Sequence, residues 1–258
     1  MNYVALASGS KGNCHALSDS QRILLVDAGI SLKQIRTRIL AAGWNPAQIE
    51  AVALSHEHSD HISAVPVILR NTNWLFMVTK ATLAAISSTQ GIDIPSNRIV
   101  TLRPGYVTNW KNIRIMPFSI PHDAVDPVAF RIELNNSNVA IVTDLGHQTA
   151  IATTHCLDLD LLVLEANHDI NMLKFGEYPP ALKSRILGKF GHLSNESMCA
   201  MLSDVMSTRL KAVVLAHLSA HNNNPAIVES TARTVLKNTK VMLYLAKQHE
   251  PLLTIAIK

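Results

Sequence analysis

A cluster of metal-binding residue types directly follows an apolar segment in the first quarter of the chain. Residues 51–54 read Ala-Val-Ala-Leu, and the next seven read Ser-His-Glu-His-Ser-Asp-His. Side chains two residues apart point the same way in an extended segment, so His56 and His58 can bind one ion. A turn after them would bring Asp60 and His61 to a second ion. Because imidazole and carboxylate are common metal ligands, the pattern predicts a metal centre after a buried strand rather than a solvated polar loop.

The composition supports chemistry of this kind in a folded chain. The 258 residues include 12 histidines, although charged residues make up only 16% of the sequence. A chain short of charge and rich in imidazole indicates metal or proton chemistry. Hydrophobic residues make up 48%, which excludes a mainly disordered chain. The net charge of +4 permits an anionic partner without requiring one.

The cysteines and the N-terminal segment bear on the compartment in which the chain works. Cys14, Cys156 and Cys199 lie far apart and form no C-x-x-C motif. A reducing compartment is therefore favoured over a disulfide framework or a cysteine zinc site. The first residues lack the basic and apolar regions of a signal peptide, and the sequence contains no long apolar run that could span a membrane. We therefore expect a cytoplasmic protein without a membrane partner.

Short apolar runs bounded by polar residues predict a strand-rich first half and helices interposed among strands later. Strands are predicted at residues 4–7, 22–26, 51–54, 113–119, 128–134, 139–143, 161–164, 212–216, 242–246 and 252–257. Helices are predicted at residues 31–42 and 80–90, each followed by a glycine, and from Asn195 and Pro225 onward. A hairpin turn is predicted at residues 135–138. This order implies sheets with helices packed outside in one continuous domain.

One cluster cannot complete two metal sites, so further ligands are expected elsewhere. Three candidates each follow a predicted strand: His122 in Pro-His-Asp, Asp144 in Thr-Asp-Leu-Gly and His217 in Ala-His-Leu-Ser. Taken singly, each could be a polar residue that merely ends a strand. Taken as an ordered set, they indicate ligands that the fold brings to the cluster.

The series SHEHSDH, PHD, TDLG and AHLS resembles the metallo-β-lactamase superfamily over nearly the whole chain. The resemblance implies an α+β fold, an αββα four-layer sandwich of two mixed sheets flanked by helices. It also implies two divalent metal ions, zinc or manganese, and the absence of a thiolate from every motif suits either metal. The first ion would be held by His56, His58 and His122 and the second by Asp60, His61 and His217, with Asp144 bridging both.

Further segments narrow the resemblance to one branch of this superfamily. Ala-Ser-Gly-Ser-Lys-Gly-Asn begins at Ala7, Gly-His-Leu-Ser-Asn-Glu begins at Gly191, and a His-Leu-Ser-Ala-His-Asn-Asn-Asn-Pro segment closes the series. Together they are similar to the WalJ (YycJ-type) branch, whose members are regarded as DNA exonucleases. The similarity implies a metal-dependent phosphodiesterase that digests DNA in the 5′→3′ direction. Residues 1–258 would form a single domain, because the stretch between Asp144 and His217 is too short for a β-CASP cap insertion.

The resemblance also implies residue roles. Glu165 would orient His192, which would donate a proton to the leaving oxygen, while Asp60 would accept one from the attacking water. Substrate contacts are expected from the glycine- and serine-rich loop and from the closing segment, at Ser8, Ser10, Ser219, His221 and Asn223. The backbone N–H groups of that loop could line an anion site or form an ordinary turn. His168 is predicted to lie on the surface.

A basic stretch leads into His192. Residues 171–192 contain one acid, Glu177, and four basic residues, Lys174, Lys183, Arg185 and Lys189. A basic approach to a metal site would attract a nucleic-acid backbone, although a solvated helical face explains the same pattern. Aromatic residues that could stack on bases are sparse there, namely Phe175, Tyr178 and Phe190.

Two other enzyme classes stay open at this point. A thioester or lactone hydrolase of the glyoxalase II kind would share the histidine cluster, and an RNA-processing nuclease would share the Gly-His-Leu-Ser segment. The Gly-His-Leu-Ser-Asn-Glu segment and the basic stretch favour a phosphodiester. We therefore expect a nucleic-acid partner, DNA rather than RNA, and see no obligate protein partner in the sequence.

Overall fold

Two seven-stranded sheets form the centre of the structure, a computed structural model that describes residues 1–257. The strands are β1 (Asn2–Ala7), β2 (Cys14–Ser18), β3 (Ile23–Val26), β4 (Ile49–Ala53), β5 (Leu75–Thr79), β6 (Ile99–Leu102), β7 (Thr108–Trp110), β8 (Ile113–Ser119), β9 (Val128–Leu134), β10 (Ser137–Val142), β11 (Leu161–Glu165), β12 (Ala212–Ala216), β13 (Met242–Leu245) and β14 (Ile255–Ala256). The helices are α1 (Leu32–Ala41), α2 (Ser59–Ile62), α3 (Val65–Asn71), α4 (Lys80–Gln90), α5 (Ala150–His155), α6 (Ile170–Phe175), α7 (Pro180–Leu187), α8 (Asn195–Val205) and α9 (Pro225–Leu236).

Both sheets are mixed. The first has the strand order β14-β1-β2-β3-β4-β5-β6 and the second the order β13-β12-β11-β10-β9-β8-β7. Strands β3 to β6 run parallel in the first sheet, as do β10 to β13 in the second, and the other neighbours are antiparallel. Parallel neighbours need a crossover connection. The helices therefore lie between the parallel strands in sequence.

The hydrophobic core has three layers. Because successive side chains of a strand point to opposite faces, Tyr3 and Ala5 of β1 pack between the sheets, whereas Val4 and Leu6 pack beneath the helices. Helices α1, α3 and α4 cover the outer face of the first sheet, and α5, α8 and α9 cover that of the second. The predicted αββα sandwich is confirmed.

The topology brings several strand ends to one edge. Strands β8 and β10 are both antiparallel to β9, and β10, β11 and β12 are parallel. The carboxyl ends of β8, β10, β11 and β12 therefore meet at the same edge of the second sheet. Ligand sites of open α/β sheets lie outside such carboxyl ends. The residues found there are His122, Asp144, Glu165 and His217.

Two predicted elements are shorter in the structure than in the sequence analysis. The predicted turn over residues 135–138 contains only Asn135 and Asn136, with φ values of 51° and 63°, and Ser137 already begins β10. Two left-handed residues suit the twist of the antiparallel strands that they join. The predicted strand over residues 252–257 is reduced to β14, which pairs with Asn2 and Tyr3 of β1.

Strands β2, β5, β6 and β7 were missed by the sequence analysis. In β2 the reason is that polar side chains occupy core positions. His15 and Ser18 are both buried there, and His15 Nδ1 lies 2.8 Å from the Tyr3 hydroxyl. A pattern search for apolar alternation passes over such a strand. Within residues 1–257, no helix is long and apolar enough to cross a bilayer.

Candidate dinuclear metal centre

The predicted ligands converge in two adjacent groups at this edge of the sheets. Ligand atoms within each group lie within 4.8 Å of one another, and the groups are His56, His58 and His122, and Asp60, His61 and His217. Asp144 lies within the same distance of His56 in the first group and His61 in the second. The structure thus brings all seven residues together, with Asp144 between the two groups.

The local backbone explains how one short segment serves both groups. Leu54 is fixed to β5 by a hydrogen bond from its N–H to the Met77 carbonyl. His58 is extended, with φ −63° and ψ 145°, and α2 begins at the next residue. The single helical turn that follows carries Asp60 and His61 to the second group. This is the turn that the sequence pattern predicted.

Asp27, a residue to which the sequence motifs assigned no role, orients His61. Its Oδ2 lies 2.7 Å from His61 Nδ1 and accepts a hydrogen bond from the Ser55 hydroxyl at 2.9 Å. Its Oδ1 accepts from the Ser55 N–H at 2.8 Å. A carboxylate on one ring nitrogen leaves the other free as a ligand, an arrangement typical of metal-binding histidines. The Val-Asp-Ala-Gly sequence at the end of β3 is the signal that could have identified Asp27.

Asn13 was also missed, and it supports Asp60. Its Nδ2 lies 3.3 Å from Asp60 Oδ2 and 3.2 Å from His61 Nε2, while its backbone N–H donates to the Asp60 carbonyl at 2.7 Å. The neighbouring backbone must pass very close to this carbonyl. A Cβ at Gly29 would lie 1.6 Å from the Asp60 carbonyl oxygen, so only glycine fits there.

The glycine- and serine-rich loop forms an ordinary turn. The backbone N–H groups of Ser8, Gly9, Lys11, Gly12 and Asn13 all donate within the protein. They are therefore not available to a substrate anion. Five of the six backbone N–H groups from Ser8 to Asn13 are used in this way, which favours the turn over an anion site built from the whole loop.

Glu165 joins both sides of the centre. Its buried Oε1 lies 2.9 Å from His192 Nδ1 and 2.7 Å from His217 Nδ1. Its Oε2 accepts hydrogen bonds from the backbone N–H groups of Leu145 and Leu193 at 2.8 and 3.0 Å. The predicted proximity of Glu165 to His192 is therefore present. The second contact, to the metal-ligand candidate His217, was not predicted.

Three residues of the centre adopt the left-handed backbone conformation that non-glycine residues seldom adopt. The φ values are 61° for Asp27, 58° for Asp144 and 55° for His217. Each follows the end of a strand, at β3, β10 and β12 respectively. Backbone strain of this kind clusters at functional sites, where surrounding contacts hold it in place.

Burial and mutual charge set the protonation of the centre. Burial lowers the pKa of His56 well below its ordinary value and also lowers that of His122, which favours neutral rings able to bind metal. Burial acts in the same direction on His61 and His217, but neighbouring carboxylates, Asp144 foremost, raise the pKa of both rings well above the ordinary value. Their charge in turn holds the pKa of Asp144 far below normal, although burial alone would raise it. Cationic partners thus compensate the buried carboxylate.

The donor set fits two divalent cations. His56 Nε2 and His217 Nε2 are buried, and neither has a hydrogen-bond partner among residues 1–257. Buried polar atoms normally have a partner, and a metal ion would supply one. The two groups and Asp144 between them supply five imidazoles and two carboxylates, a set that suits zinc or manganese.

A cleft with a volume of about 250 Å³ opens over the centre. Its lining includes His58, Asp60 and His192 on the side of the metal ligands. Of the predicted substrate contacts, Ser10 and Ser219 line the cleft. His221 is exposed beside it, with its ring centroid 5.9 Å from that of Tyr178, a residue of the cleft wall.

Two predicted substrate contacts do not reach the cleft. Ser8 is buried, and its hydroxyl accepts the His217 N–H at 2.8 Å and donates to Asn13. Asn223 is buried too, where its amide pairs with that of Asn195 and donates to the Ala166 carbonyl. Both side chains therefore stabilise neighbouring loops and are not placed to contact substrate in the cleft.

The prediction that His168 lies on the surface is wrong. Its relative exposure is 1%, and its backbone carbonyl accepts from Asn195 N–H at the start of α8. A bridge between His168 and Ser194 pins the two segments together. The sequence around His168 is polar and so did not indicate burial. The burial results from the packing of these loops on α8.

Comparisons with known proteins agree with this geometry. A family profile described as Beta-lactamase superfamily domain matches residues 22–218. Exodeoxyribonuclease YycJ of Bacillus anthracis is 32% identical over 237 residues, which cover 92% of this chain and 89% of the relative. Exodeoxyribonuclease WalJ of Streptococcus pneumoniae serotype 2 is 33% identical over 230 residues, which cover 89% of this chain and 86% of the relative.

Solved structures share the same architecture at lower sequence identity. The metallo-β-lactamase fold protein YhfI from Bacillus subtilis matches with a TM-score of 0.72 and 18% identity, covering 97% of this chain and 98% of that one. Zn²⁺-bound PqqB from Methylobacterium extorquens matches with a TM-score of 0.71 and 18% identity, covering 99% of this chain and all of that one. At such identities the likeness concerns the fold alone.

Proposed function

The chain belongs to the β-lactamase superfamily and, within it, to the family of the YycJ and WalJ proteins, and we propose that it is a two-metal exodeoxyribonuclease. The observation that carries this proposal is the convergence of seven ligand candidates in two adjacent groups with a Glu165–His192 pair beside them. The two relatives are both named exodeoxyribonucleases, which supports DNA over RNA as the substrate. The 5′→3′ direction is part of the proposal.

The proposed metal ligands follow the two groups, and the ions are zinc or manganese. His56, His58 and His122 would hold one ion, Asp60, His61 and His217 the other, and Asp144 both. When bound, such a metal pair brings the pKa of water near neutrality and neutralises the charge of phosphate oxygens. Two of the histidines are already oriented for metal binding, because Asp27 contacts Nδ1 of His61 and Glu165 contacts Nδ1 of His217, which leaves Nε2 of each ring for the metal.

Proton transfer is assigned to two residues that line the cleft. Asp60 Oδ2, held by Asn13 Nδ2, would accept the proton of the attacking water. His192 would donate a proton to the leaving oxygen, and Glu165 would orient it through Nδ1. His192 is part-exposed at the cleft, as a group that meets substrate must be.

We further propose that the chain acts as a single uncapped domain in the cytoplasm and needs no obligate protein partner. The segment between Asp144 and His217 is occupied by α5, β11 and α6 to α8, which gives no room for a cap insertion. The reducing compartment is supported by three cysteines without a pairing motif in the sequence.

The test is a substrate panel with metal analysis of the same preparation. Single-stranded and duplex DNA labelled at either end, RNA and a generic thioester are each offered to the zinc-loaded and manganese-loaded protein. We expect stepwise release of mononucleotides from the 5′ end of DNA and two equivalents of metal. Thioester hydrolysis without nuclease activity would overturn the proposal in favour of a glyoxalase II-type enzyme. RNA cleavage in preference to DNA would instead indicate an RNA-processing nuclease.

A further inference from the structure

One wall of the cleft comes from α7 and the residue pair before it. Tyr178, Leu182, Arg185 and Ile186 all line the cleft. Leu182 lies three and four residues before Arg185 and Ile186, so these three share one face of α7, and Tyr178 lies in the bend before the helix. Together they present one cation, one aromatic ring and two aliphatic side chains to the cleft. The other basic and aromatic residues of the stretch from residue 171 to residue 192 do not line the cleft.

Arg185 is fixed beside the first metal group. Its Nε donates to Asp123 Oδ2, and the other oxygen of Asp123 lies 3.4 Å from His122 Nε2. This bond to Asp123 raises the pKa of Arg185 further, so its charge is permanent. No residue of the described chain bonds its two terminal nitrogens, and its side chain is 57% exposed. A guanidinium held by one nitrogen with two others free is suited to a phosphate.

Lys183 shows the contrast within the same helix. Its Nζ donates to the carbonyls of Lys174 and Gly176 at 2.9 and 2.6 Å, which closes the turn between α6 and α7. Its charge therefore stabilises the wall and is not presented to the cleft. Sequence alone ranked Lys183 and Arg185 equally as phosphate contacts, and the structure separates them.

Tyr178 is distinguished from its aromatic neighbours in the same way. Phe175 is 86% exposed and Phe190 is 60% exposed, and neither lines the cleft. Tyr178 is half-buried against His221 and lies on the cleft wall in the bend before α7. A ring held by packing on one side and open on the other can stack on a nucleobase.

We propose that this face of α7 and Tyr178 before it form the subsite for the end of a single DNA strand, with Arg185 on a backbone phosphate and Tyr178 stacked on a base. This proposal rests on the proposed exonuclease function and names how that site recognises its substrate. The cleft volume of about 250 Å³ lies below the roughly 300–1,000 Å³ of small-molecule pockets, so the cleft has room for no more than the terminal unit of a strand. A duplex would have to present a frayed end.

The experiment measures binding and hydrolysis separately for Arg185→Gln and Tyr178→Ala. Lys174→Gln and Phe175→Ala are matched controls, because they remove the same kinds of side chain from the same stretch outside the cleft. Binding of a fluorescent 5′-phosphorylated oligothymidylate to the metal-free protein is followed by anisotropy at several salt concentrations. Hydrolysis by the metal-loaded protein is followed on the same oligonucleotide and on bis(p-nitrophenyl) phosphate, which has neither base nor second backbone phosphate.

We expect Arg185→Gln to weaken oligonucleotide binding about tenfold and to reduce the salt slope by about 0.7, the value for one lost single-strand phosphate contact. Tyr178→Ala should weaken binding by about 5- to 150-fold, and Tyr178→Phe should retain it because the ring face remains. Hydrolysis of bis(p-nitrophenyl) phosphate should fall far less than hydrolysis of the oligonucleotide in Arg185→Gln and Tyr178→Ala, because the metal-ligand candidates are untouched, and should be unchanged in the two controls.

The outcomes separate this proposal from the proposed function. If the wild-type protein degrades DNA but Arg185→Gln and Tyr178→Ala bind like their controls, the α7 subsite is wrong and the exonuclease assignment stands. If bis(p-nitrophenyl) phosphate hydrolysis falls together with DNA hydrolysis, the variants act through the metal centre, which also contradicts the subsite. If the wild-type protein leaves every DNA end intact, the proposed function itself fails. Arg185→Lys replaces Arg185→Gln if the latter misfolds, with partial loss of binding expected.

Discussion

The two sides of the cleft are built in opposite ways. The floor of the cleft is formed by the seven metal-ligand candidates, which are mostly buried and lie at or near strand ends. Some of them make a second hydrogen bond, as between His61 Nδ1 and Asp27 or between His217 Nδ1 and Glu165. On the α7 wall, Arg185 is more than half exposed and is fixed by one ion pair. The floor holds the metal-ligand candidates in a fixed geometry, as the chemical step requires. The wall presents side chains that can adjust to a flexible DNA strand. Substitutions on the floor should therefore affect rate and metal binding, and those on the wall affect substrate binding.

The largest effect is expected from Asp60→Ala on the floor. This change removes one metal-ligand candidate and the proposed proton acceptor, and loss of the proton acceptor alone costs about 10²- to 10⁴-fold in rate. DNA hydrolysis under saturating substrate measures it, and circular dichroism checks that the fold is retained. The exposed His249→Ala serves as control. Near-normal activity of Asp60→Ala would remove Asp60 from both roles.

A smaller but specific effect is expected from Asp27→Asn. Asparagine tolerates the left-handed backbone at this position, so the change mainly removes the charge that holds His61. Loss of such a supporting carboxylate typically weakens metal binding by about 10- to 100-fold. Calorimetric titration of the metal-free protein with Zn²⁺ measures the affinity. An unchanged affinity would show that His61 needs no orienting partner or is not a ligand.

Glu165→Gln tests the floor through the pH dependence of the free energy of unfolding. Burial would raise the pKa of Glu165, but its ion pair with His192 and the hydrogen bonds from both histidines lower it from 4.5 to about 2. A lowered pKa stabilises the folded state fully above the unfolded value and loses that contribution as pH falls through the folded value. The free energy of unfolding of the metal-free protein should therefore fall less steeply between about pH 4.5 and 2 in Glu165→Gln than in the wild type.

Urea unfolding at several pH values within this window measures the difference. The exposed Glu177→Gln is the matched control and should retain the wild-type slope. Parallel pH profiles for the wild type and Glu165→Gln would mean that the Glu165 carboxylate is not held in its charged form by the two histidines.

The smallest effect is expected on the wall, for the stability of Arg185→Gln. A solvent-exposed ion pair contributes about 0–1 kcal/mol, so the free energy of unfolding should change by no more than that. Thermal and urea unfolding measure it. A loss of several kcal/mol would show that Arg185 is a structural residue like Lys183, and would weaken the contrast between the floor and the wall.

The same contrast explains what could be predicted from the sequence. His56, His58, Asp60 and His61 sit within one hexapeptide after an apolar strand, so local spacing alone indicates their function. The remaining ligand candidates follow apolar strands in short motifs, and parallel strand ends converge by the rules of the fold. The αββα architecture follows from the same motifs through the resemblance that they carry.

The local sequence does not show which polar side chains form hydrogen bonds within the protein and are therefore unavailable to substrate. Ser8 and Asn223 look like loop residues free to meet substrate, yet tertiary hydrogen bonds occupy both. His168 looks exposed and is buried. Between residues 171 and 192, four basic residues are equivalent in sequence, and only their position in the fold and the Asp123 contact select Arg185. These distinctions depend on contacts between residues far apart in the chain.

The left-handed backbone at Asp27, Asp144 and His217 implies a trade-off between activity and stability. Each such residue stores roughly 1–3 kcal/mol of strain, and glycine would adopt the same conformation almost freely. Glycine at Asp144 or His217 would thus relax the backbone while deleting a proposed ligand. At Asp144 it would also remove the carboxylate that compensates the charge of His61 and His217, so stabilised variants should be sought away from these three turns.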